Sequence, residues 1–331
     1  RGLGDVYKRQ AQGKAPITHD TAIGFERILG IPAHFWMNCE AQFQVAQSRE
    51  AELERAKKYS NWASAFPYAE MVKRDWVPAV PPRNLAQKAL NLLDFFAVSD
   101  PKCWEDVYQD TDLGLAYRRS EKVTKKAHGI SAWLRQGEIE AKEVQTADFD
   151  QTSFRKALIG IRSLTVLEDW KKFIPEIKQL CADAGVVYLH IQELPSLGIN
   201  GVMRWIGNRP VIQQGFRFKW NDQFWFTFFH EAGHVLQNRK KDVFIEGVGL
   251  TSENKQREDE ADRFAAELLI PETRYNDFLL SCDDEPNRRN IVQFAKELGI
   301  HPGIIVGRLM RDTILGYSHP SRSLMVPFEW T

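Results

Sequence analysis

His230-Glu231-Ala232-Gly233-His234 is the stretch of this sequence whose residue types and spacing point most directly to chemistry. Histidines at i and i+4 lie on one face of a helix, about one turn apart. Both imidazoles can then reach one ion at the roughly 2.0–2.1 Å that zinc requires. The glutamate after the first histidine stands beside such an ion, not on it. A carboxylate there can take a proton from a zinc-activated water and hand it to a leaving amine, because zinc brings that water's pKa near neutrality. His230 and His234 are therefore the expected metal ligands, Glu231 the expected general base, and Zn2+ the expected cofactor. Chance produces such a pentapeptide on the order of one time in a hundred in a chain of this composition. Two features lower that figure: Phe224, Trp225, Phe228 and Phe229 make the preceding turns strongly apolar, and an acid-bearing helix follows.

The third ligand follows from helix geometry. In the run from Glu258 to Leu269, at about 100° per residue, Ala261, Ala265 and Leu269 fall within roughly 60° of Glu258. Glu260 lies roughly 200° away and faces water. A carboxylate on a buried face is costly unless it is paired or bound to metal, so Glu258 is the expected ligand and Glu260 is not. Asp262, one turn after Glu258 on the same face, is assigned to hold the free ring nitrogen of a ligand histidine, His230. The bland reading leaves Glu258 and Glu260 as ordinary charges near a helix N-terminus. Three protein ligands leave a fourth position open for water and substrate, which is the catalytic arrangement.

These residues need a scaffold. A helix over 222–237 carries the histidines and one over about 256–270, stopped by Pro271, carries the acids. Ahead of them, the helices FRKALIGIRSL and WKKFIPEIKQLCADAG lead into a strand over Val186–Gln192. A hairpin pairs Asn200–Ile206 with Arg209–Phe216 across Gly207-Asn208. Residues 290–315 read as two or three short helices. Earlier, Thr18, His19 and Asp20 offer N-cap chemistry for a helix that ends at Gly30. A second helix follows Pro32, with a solvated, charged continuation. Prolines 78, 81 and 82 break the chain, 85–134 is again helical, and the polar stretch 138–151 suggests a domain boundary. The fold expected is α+β, mostly helical, with a small antiparallel sheet packed beside the HExxH helix. The hairpin offers an edge on which an extended peptide could add as a strand.

Composition sets bounds. Forty-four Lys+Arg balance 44 Asp+Glu, so net charge is zero and gives no electrostatic footprint for nucleic acid or membrane. Cys39, Cys103, Cys181 and Cys282 are scattered, as expected of thiols in a reducing cytoplasm rather than a disulfide framework. No apolar run is long enough for a membrane span, and there is no signal-peptide pattern. Residues 1–10, RGLGDVYKRQ, are read as non-native and left out of the fold. His190, His301 and His128 are expected to be structural, Arg204 and Arg217 to form surface ion pairs, and Gly303 and Gly307 to permit close helix packing.

HEAGH followed by EDEADRFAAELLIP resembles the ImmA/IrrE metallopeptidases, over roughly residues 150–315. The Glu258–Asp262 spacing also resembles thermolysin-like gluzincins, in which the glutamate completes the zinc site and the aspartate orients a ligand histidine. ITHDTAIGFERILGIPAHFWMNCEAQFQ resembles the last two helices of the helix-turn-helix in HigA-type, XRE-like regulators. The resemblances imply four parts: 1–10 non-native; 11–58 the C-terminal part of that helix-turn-helix domain; 59–150 a helical middle; and 151–331 an ImmA/IrrE-like, zincin-type domain with a helical tail. They further imply a cytoplasmic metallo-endopeptidase that cleaves a partner repressor or antitoxin-like protein, with DNA bound through the intact helix-turn-helix. No membrane partner is expected, and a homodimer is compatible. The rival is a DNA-binding antitoxin or regulator whose peptidase domain serves as a sensor or docking module. An intact HExxH with a third glutamate favours the enzyme.

Overall fold

The computed structural model describes residues 15–108, 126–215, 217, 219–237, 244–245, 252–282 and 284–328. They belong to two compact units, Arg1–Ala65 with Pro78–Asp94, and Phe66–Val77 with Phe95–Thr331.

In the first unit, α1 (His19–Leu29) begins where the Thr18 side chain accepts from the Thr21 N–H and ends at Gly30, whose φ of 69° is left-handed. Pro32 precedes α2 (Ala33–Ala56), a single 24-residue helix that includes the charged continuation. Phe25 on α1 packs against Trp36 on α2, with ring centroids 5.1 Å apart. A short α3 (Ser60–Ser64) follows.

The second unit starts with α4 (Tyr68–Val72). Beyond the proline break, α5 (Leu85–Phe96) crosses from one unit into the other. Next come α6 (Pro101–Tyr108) and α7 (Ala127–Glu143). Phe66, Phe96, Trp104 and Tyr108 form an aromatic cluster here. His128 stacks on Trp104 at 4.7 Å, and burial pushes its pKa down to about 4, so it packs as a neutral ring. Asp150 and Asp169 cap α8 (Gln151–Ser163) and α9 (Trp170–Asp183). These lead to β1 (Val187–His190), β2 (Gly201–Ile206) and β3 (Arg209–Gln214). The site helices are α10 (Asn221–Gln237) and α11 (Ser252–Leu269), with the two-residue β4 (Phe244–Ile245) between them. Last are α12 (Glu272–Leu280), α13 (Arg288–Leu298) and α14 (Pro302–Arg311). No helix among the described residues is long and apolar enough to cross a membrane.

The sheet is four-stranded in the order β1-β3-β2-β4. It is mixed, not wholly antiparallel as expected: β2 runs against β3 and β4, but β1 runs parallel to β3. The reason lies in the link 191–200, which carries the chain past the width of one strand. The turn at Gly207, with φ of 63°, then folds β3 back into that gap. Ile191 N–H donates to Gln214 and Gly215 N–H to Asn200, sealing the join. The edge strands are thus β1 and β4, while the hairpin strands β2 and β3 lie inside. Phe216 falls outside the described residues.

The sheet is held from both sides. Tyr188, Met203 and Ile212 join the core around α10, with Tyr188 edge-on to Phe228 at 5.4 Å. On the other face, Gln213 donates to the Trp133 carbonyl of α7 at 2.7 Å. Arg204 is buried, only 4% exposed, where a surface ion pair was expected; it meets Glu138 at 3.0 Å. Arg209 donates to the carbonyls of Ala141 and Val144. The polar stretch 138–151 is therefore tied to the hairpin through these arginines, and residues 95 onward lie in one unit.

Arg162 of α8 fixes the far end of α11. Its guanidinium donates to the carbonyls of Leu268 at 2.6 Å, Leu269 at 3.0 Å and Leu298 at 2.9 Å, acceptors that a helix C-terminus leaves without partners of its own. Arg162→Leu is expected to lower the unfolding free energy by about 1–3 kcal/mol, the cost of stranding such acceptors. Arg162→Lys should restore only part of it, because an ammonium lacks the planar fork. Denaturant titration of the three proteins measures both.

Candidate metal centre

α10 runs through the middle of the core. Its residues Phe224, Trp225, Phe228, Phe229, Ala232 and Val235 are all buried. Phe173 of α9 packs 4.8 Å from Trp225 and 5.4 Å from Phe224, so the helix is fixed along its length before it reaches the histidines. α11 crosses close by. A Cβ on Gly233 would stand 3.1 Å from Ala261 Cα and 3.3 Å from both Ala261 Cβ and a Phe264 ring atom. Glycine at that position, facing alanine, sets how near the acids of α11 come to the histidines of α10.

His230 and His234 are 2% and 1% exposed. Their Nε2 atoms are 3.1 Å apart, and the Glu258 carboxylate lies 3.2 Å from His230 Nε2 and 3.5 Å from His234 Nε2. These separations bracket the about 3.3 Å between ligand atoms of a tetrahedron drawn at zinc's bond lengths. The donor set therefore fits zinc, or a similar divalent ion, in size and in chemistry. Glu260 on the same helix is exposed.

Both rings are oriented from behind. His230 Nδ1 lies 2.8 Å from Asp262 Oδ1, and His234 Nδ1 lies 3.1 Å from Gln237 Oε1. These acceptors hold a proton on Nδ1 and turn both Nε2 atoms toward Glu258, the orientation a metal needs. Gln237 also donates through Nε2 to the Arg257 carbonyl at 3.0 Å, joining α10 to the residue before Glu258. Gln237 was not singled out from sequence. The signal was there: an amide three residues after His234 shares its helix face.

Without an ion the cluster is strongly polarised. Burial opposes protonation of His230, but hydrogen bonds to Asp262 and Glu258 and the charge of Glu231 outweigh it and lift its pKa to about 11. Burial likewise raises Glu258, yet hydrogen bonds and charge from both histidines bring it down to about 2. A metal would take the place of that imidazole proton, so binding releases it and weakens as pH falls.

Glu231 is 1% exposed, one residue beyond His230. β2 presses on it: a Cβ on Gly201 would stand 2.9 Å from Glu231 Oε1 and 2.8 Å from Thr227 Cγ2. Glycine at the start of β2 is what lets the strand lie against this carboxylate.

Residues 219–310 match the Peptidase_M78 family, described as the IrrE N-terminal-like domain. The matched span contains His230, Glu231, His234, Glu258 and Asp262, and with them α10, α11 and most of α14. It supports the ImmA/IrrE resemblance for this part of the chain and a metallopeptidase-like reading of it. No curated protein matches the chain.

The other candidates serve the frame of the Peptidase_M78 segment. His301 caps α14 by accepting at Nδ1 from Gly303 N–H, and the same nitrogen meets the Asn221 amide at 2.8 Å. His190 packs on Trp170 and Phe224, and burial, aided by Lys178, pushes its pKa down to about 3. Arg217 reaches the Gly198 carbonyl and Asn200. Gly303 and Gly307 abut Asn221 and Asp222, allowing the α10–α14 contact.

Asp262→Ala and Gln237→Ala should each weaken zinc affinity by about 10–100-fold, the usual cost of removing a partner that orients a ligand histidine. Competition with a chromogenic chelator measures this. Glu260→Ala, on the solvent side of α11, should leave the affinity unchanged.

Proposed function

We propose that this protein is a zinc-dependent metallo-endopeptidase that hydrolyses a peptide bond of a partner protein, with His230, His234 and Glu258 as metal ligands and Glu231 as the general base. The observation that carries this reading is the triangle of three ligand atoms at 3.1–3.5 Å with a buried glutamate on the adjoining residue. Zinc held there would polarise a carbonyl and bring a water to a neutral pKa. Glu231 takes the proton released from the attacking water and returns it to the leaving amine. Asp262 and Gln237 keep both rings turned toward the site as charge changes there.

The resemblance of α1 and α2 to the end of a HigA-type helix-turn-helix supports a regulatory setting. The substrate is then a repressor or antitoxin-like protein in the cytoplasm, and the intact module binds DNA. α1, capped by Thr18 and closed by Gly30, is joined to α2 by the short Gly30–Pro32 turn, in keeping with such a module.

The protein should purify with about one zinc per chain, lose cleavage of its partner on chelation and regain it on adding zinc. Glu231→Gln should retain the zinc and lower kcat by about 10²–10⁴, the usual share of a general base. Metal analysis with a cleavage assay reads both. If Glu231→Gln regulates its operon as the unaltered protein does, proteolysis is not the function, and the domain acts as a sensor or docking module.

A further inference from the structure

The segment matched to the peptidase family begins at residue 219, yet the strand that presses on Glu231 lies before it. That strand, β2, carries a charge on a buried face. The Arg204 side chain is 5% exposed, and a buried guanidinium is costly unless it is paired. Its Nη1 meets Glu138 Oε1 at 3.0 Å. Its Nη2 donates to the Leu134 carbonyl and to Gln213 Oε1, the latter at 3.3 Å. Glu138 is held in turn by Arg135 at 2.8 Å and by the Tyr108 hydroxyl at 3.3 Å. Arg135 also donates to the Phe95 carbonyl at 2.8 Å. One strand is thus fastened from behind to α5, α6 and α7.

This fastening fixes position more than it adds strength. An apolar pair of like volume often stabilises a fold as well as a buried ion pair does. What arginine adds is a planar fork that sets distance and orientation together. α7 is shaped to receive it: a Cβ on Gly137 would collide with the Gln213 amide and stand 3.0 Å from Arg204 Nη2. Successive side chains of a strand point to opposite faces. Arg204 faces α7, while Gly201 and Met203 face α10. At Gly201, three residues before the arginine, there is no slack. A Cβ there would lie 2.9 Å from Glu231 Oε1 and 3.0 Å from its Cγ. A shift of β2 toward α10 is met by that carboxylate and by Thr227.

We infer that Arg204 is a positioning residue for Glu231: by fastening β2 to α7 from behind, it sets where the Glu231 carboxylate stands beside the ion. The inference rests on the metallopeptidase reading above and extends the working site to α7, outside the segment matched to the Peptidase_M78 family. The ligand atoms of His230, His234 and Glu258 are spaced instead by the contact of α10 with α11 at Gly233 and Ala261. Loss of Arg204 should therefore act on the base and spare the metal.

The test takes two readings on the zinc-loaded full chain: zinc affinity, by competition with a chromogenic chelator, and acetohydroxamate affinity, by calorimetry. On binding zinc, acetohydroxamic acid gives up its O–H proton, and Glu231 is the base placed to take it, so this probe reports where the carboxylate stands. Glu231→Gln should weaken the probe at least about tenfold and leave zinc affinity unchanged. Arg204→Gln should weaken it about three- to tenfold, the size of a coupling carried through a backbone shift, again with zinc affinity unchanged. In the Glu231→Gln background the same change should cost nothing further, because the carboxylate through which it acts is gone. Arg204→Lys, which keeps the charge and loses the fork, should fall between. Glu138→Gln, which loosens the pair from the α7 side with a side chain of the same shape, should weaken the probe in the same sense and stands in for Arg204→Gln if that variant misfolds. Unchanged probe affinity in these variants, an equal loss in the Glu231→Gln background, or a matching loss of zinc affinity overturns the positioning role and leaves the metal centre standing. Failure of Glu231→Gln to weaken the probe removes the general-base reading and the role of Arg204 with it.

Discussion

The close approach of α10 and α11 at Gly233 and Ala261 is the constraint from which the site follows. Two ligands sit on one helix and one on the other, so the spacing between the helices is the spacing between ligand atoms. A helix-to-helix distance is ordinarily set by the side chains at the contact. Here the contact is a glycine against an alanine, so close that a Cβ on Gly233 would stand 3.1–3.3 Å from Ala261. Any larger residue at 233 would push the Glu258 carboxylate away from both imidazoles. The supports of α11 act in the same sense. Arg162 holds its C-terminal carbonyls, and Gln237 holds the backbone just ahead of Glu258, so the helix is pinned at both ends and pressed at its middle.

Such an arrangement gathers groups that would not choose one another's company. Glu231 and Glu258 flank two buried histidines, with the exposed Asp262 behind His230, and like charges at this range oppose folding. The metal-free chain offsets this by keeping His230 protonated far above the usual histidine range. A divalent ion offsets it more fully, since it meets both imidazoles and the carboxylate at once. Binding of such an ion would in this sense be part of the folding energetics of the region. Aromatic packing along α10 through Phe224, Trp225, Phe228 and Phe229 lies apart from these ionised groups and stabilises the helix without the ion.

The local parts of the site were legible in the sequence because helical periodicity is local. The i, i+4 histidines and the choice of Glu258 over Glu260 follow from counting 100° steps along one helix, and Asp262 behind His230 from the partner a ligating histidine usually has; the structure brings these residues together. What required contact between distant segments was not legible. Arg204 looked like a surface charge because its partner Glu138 is 66 residues away. β1 runs parallel to β3 because a later hairpin strand fills a gap left earlier, which no local pattern encodes. Gly201 reads as an ordinary strand residue until β2 is seen lying on Glu231.

That last contact separates two tasks. The proposed metal ligands are positioned by helix against helix, through Gly233, Asp262 and Gln237. Glu231, the proposed general base, is met by sheet against helix, through Gly201 on β2. β2 is itself anchored from behind, since Arg204 is tied to Glu138 and its neighbour strand to α7 through Gln213. The base thus answers to the hairpin and the far helix, while the ion answers to α11. The buried arginine on β2 is therefore best understood as holding up the floor on which the Glu231 carboxylate rests.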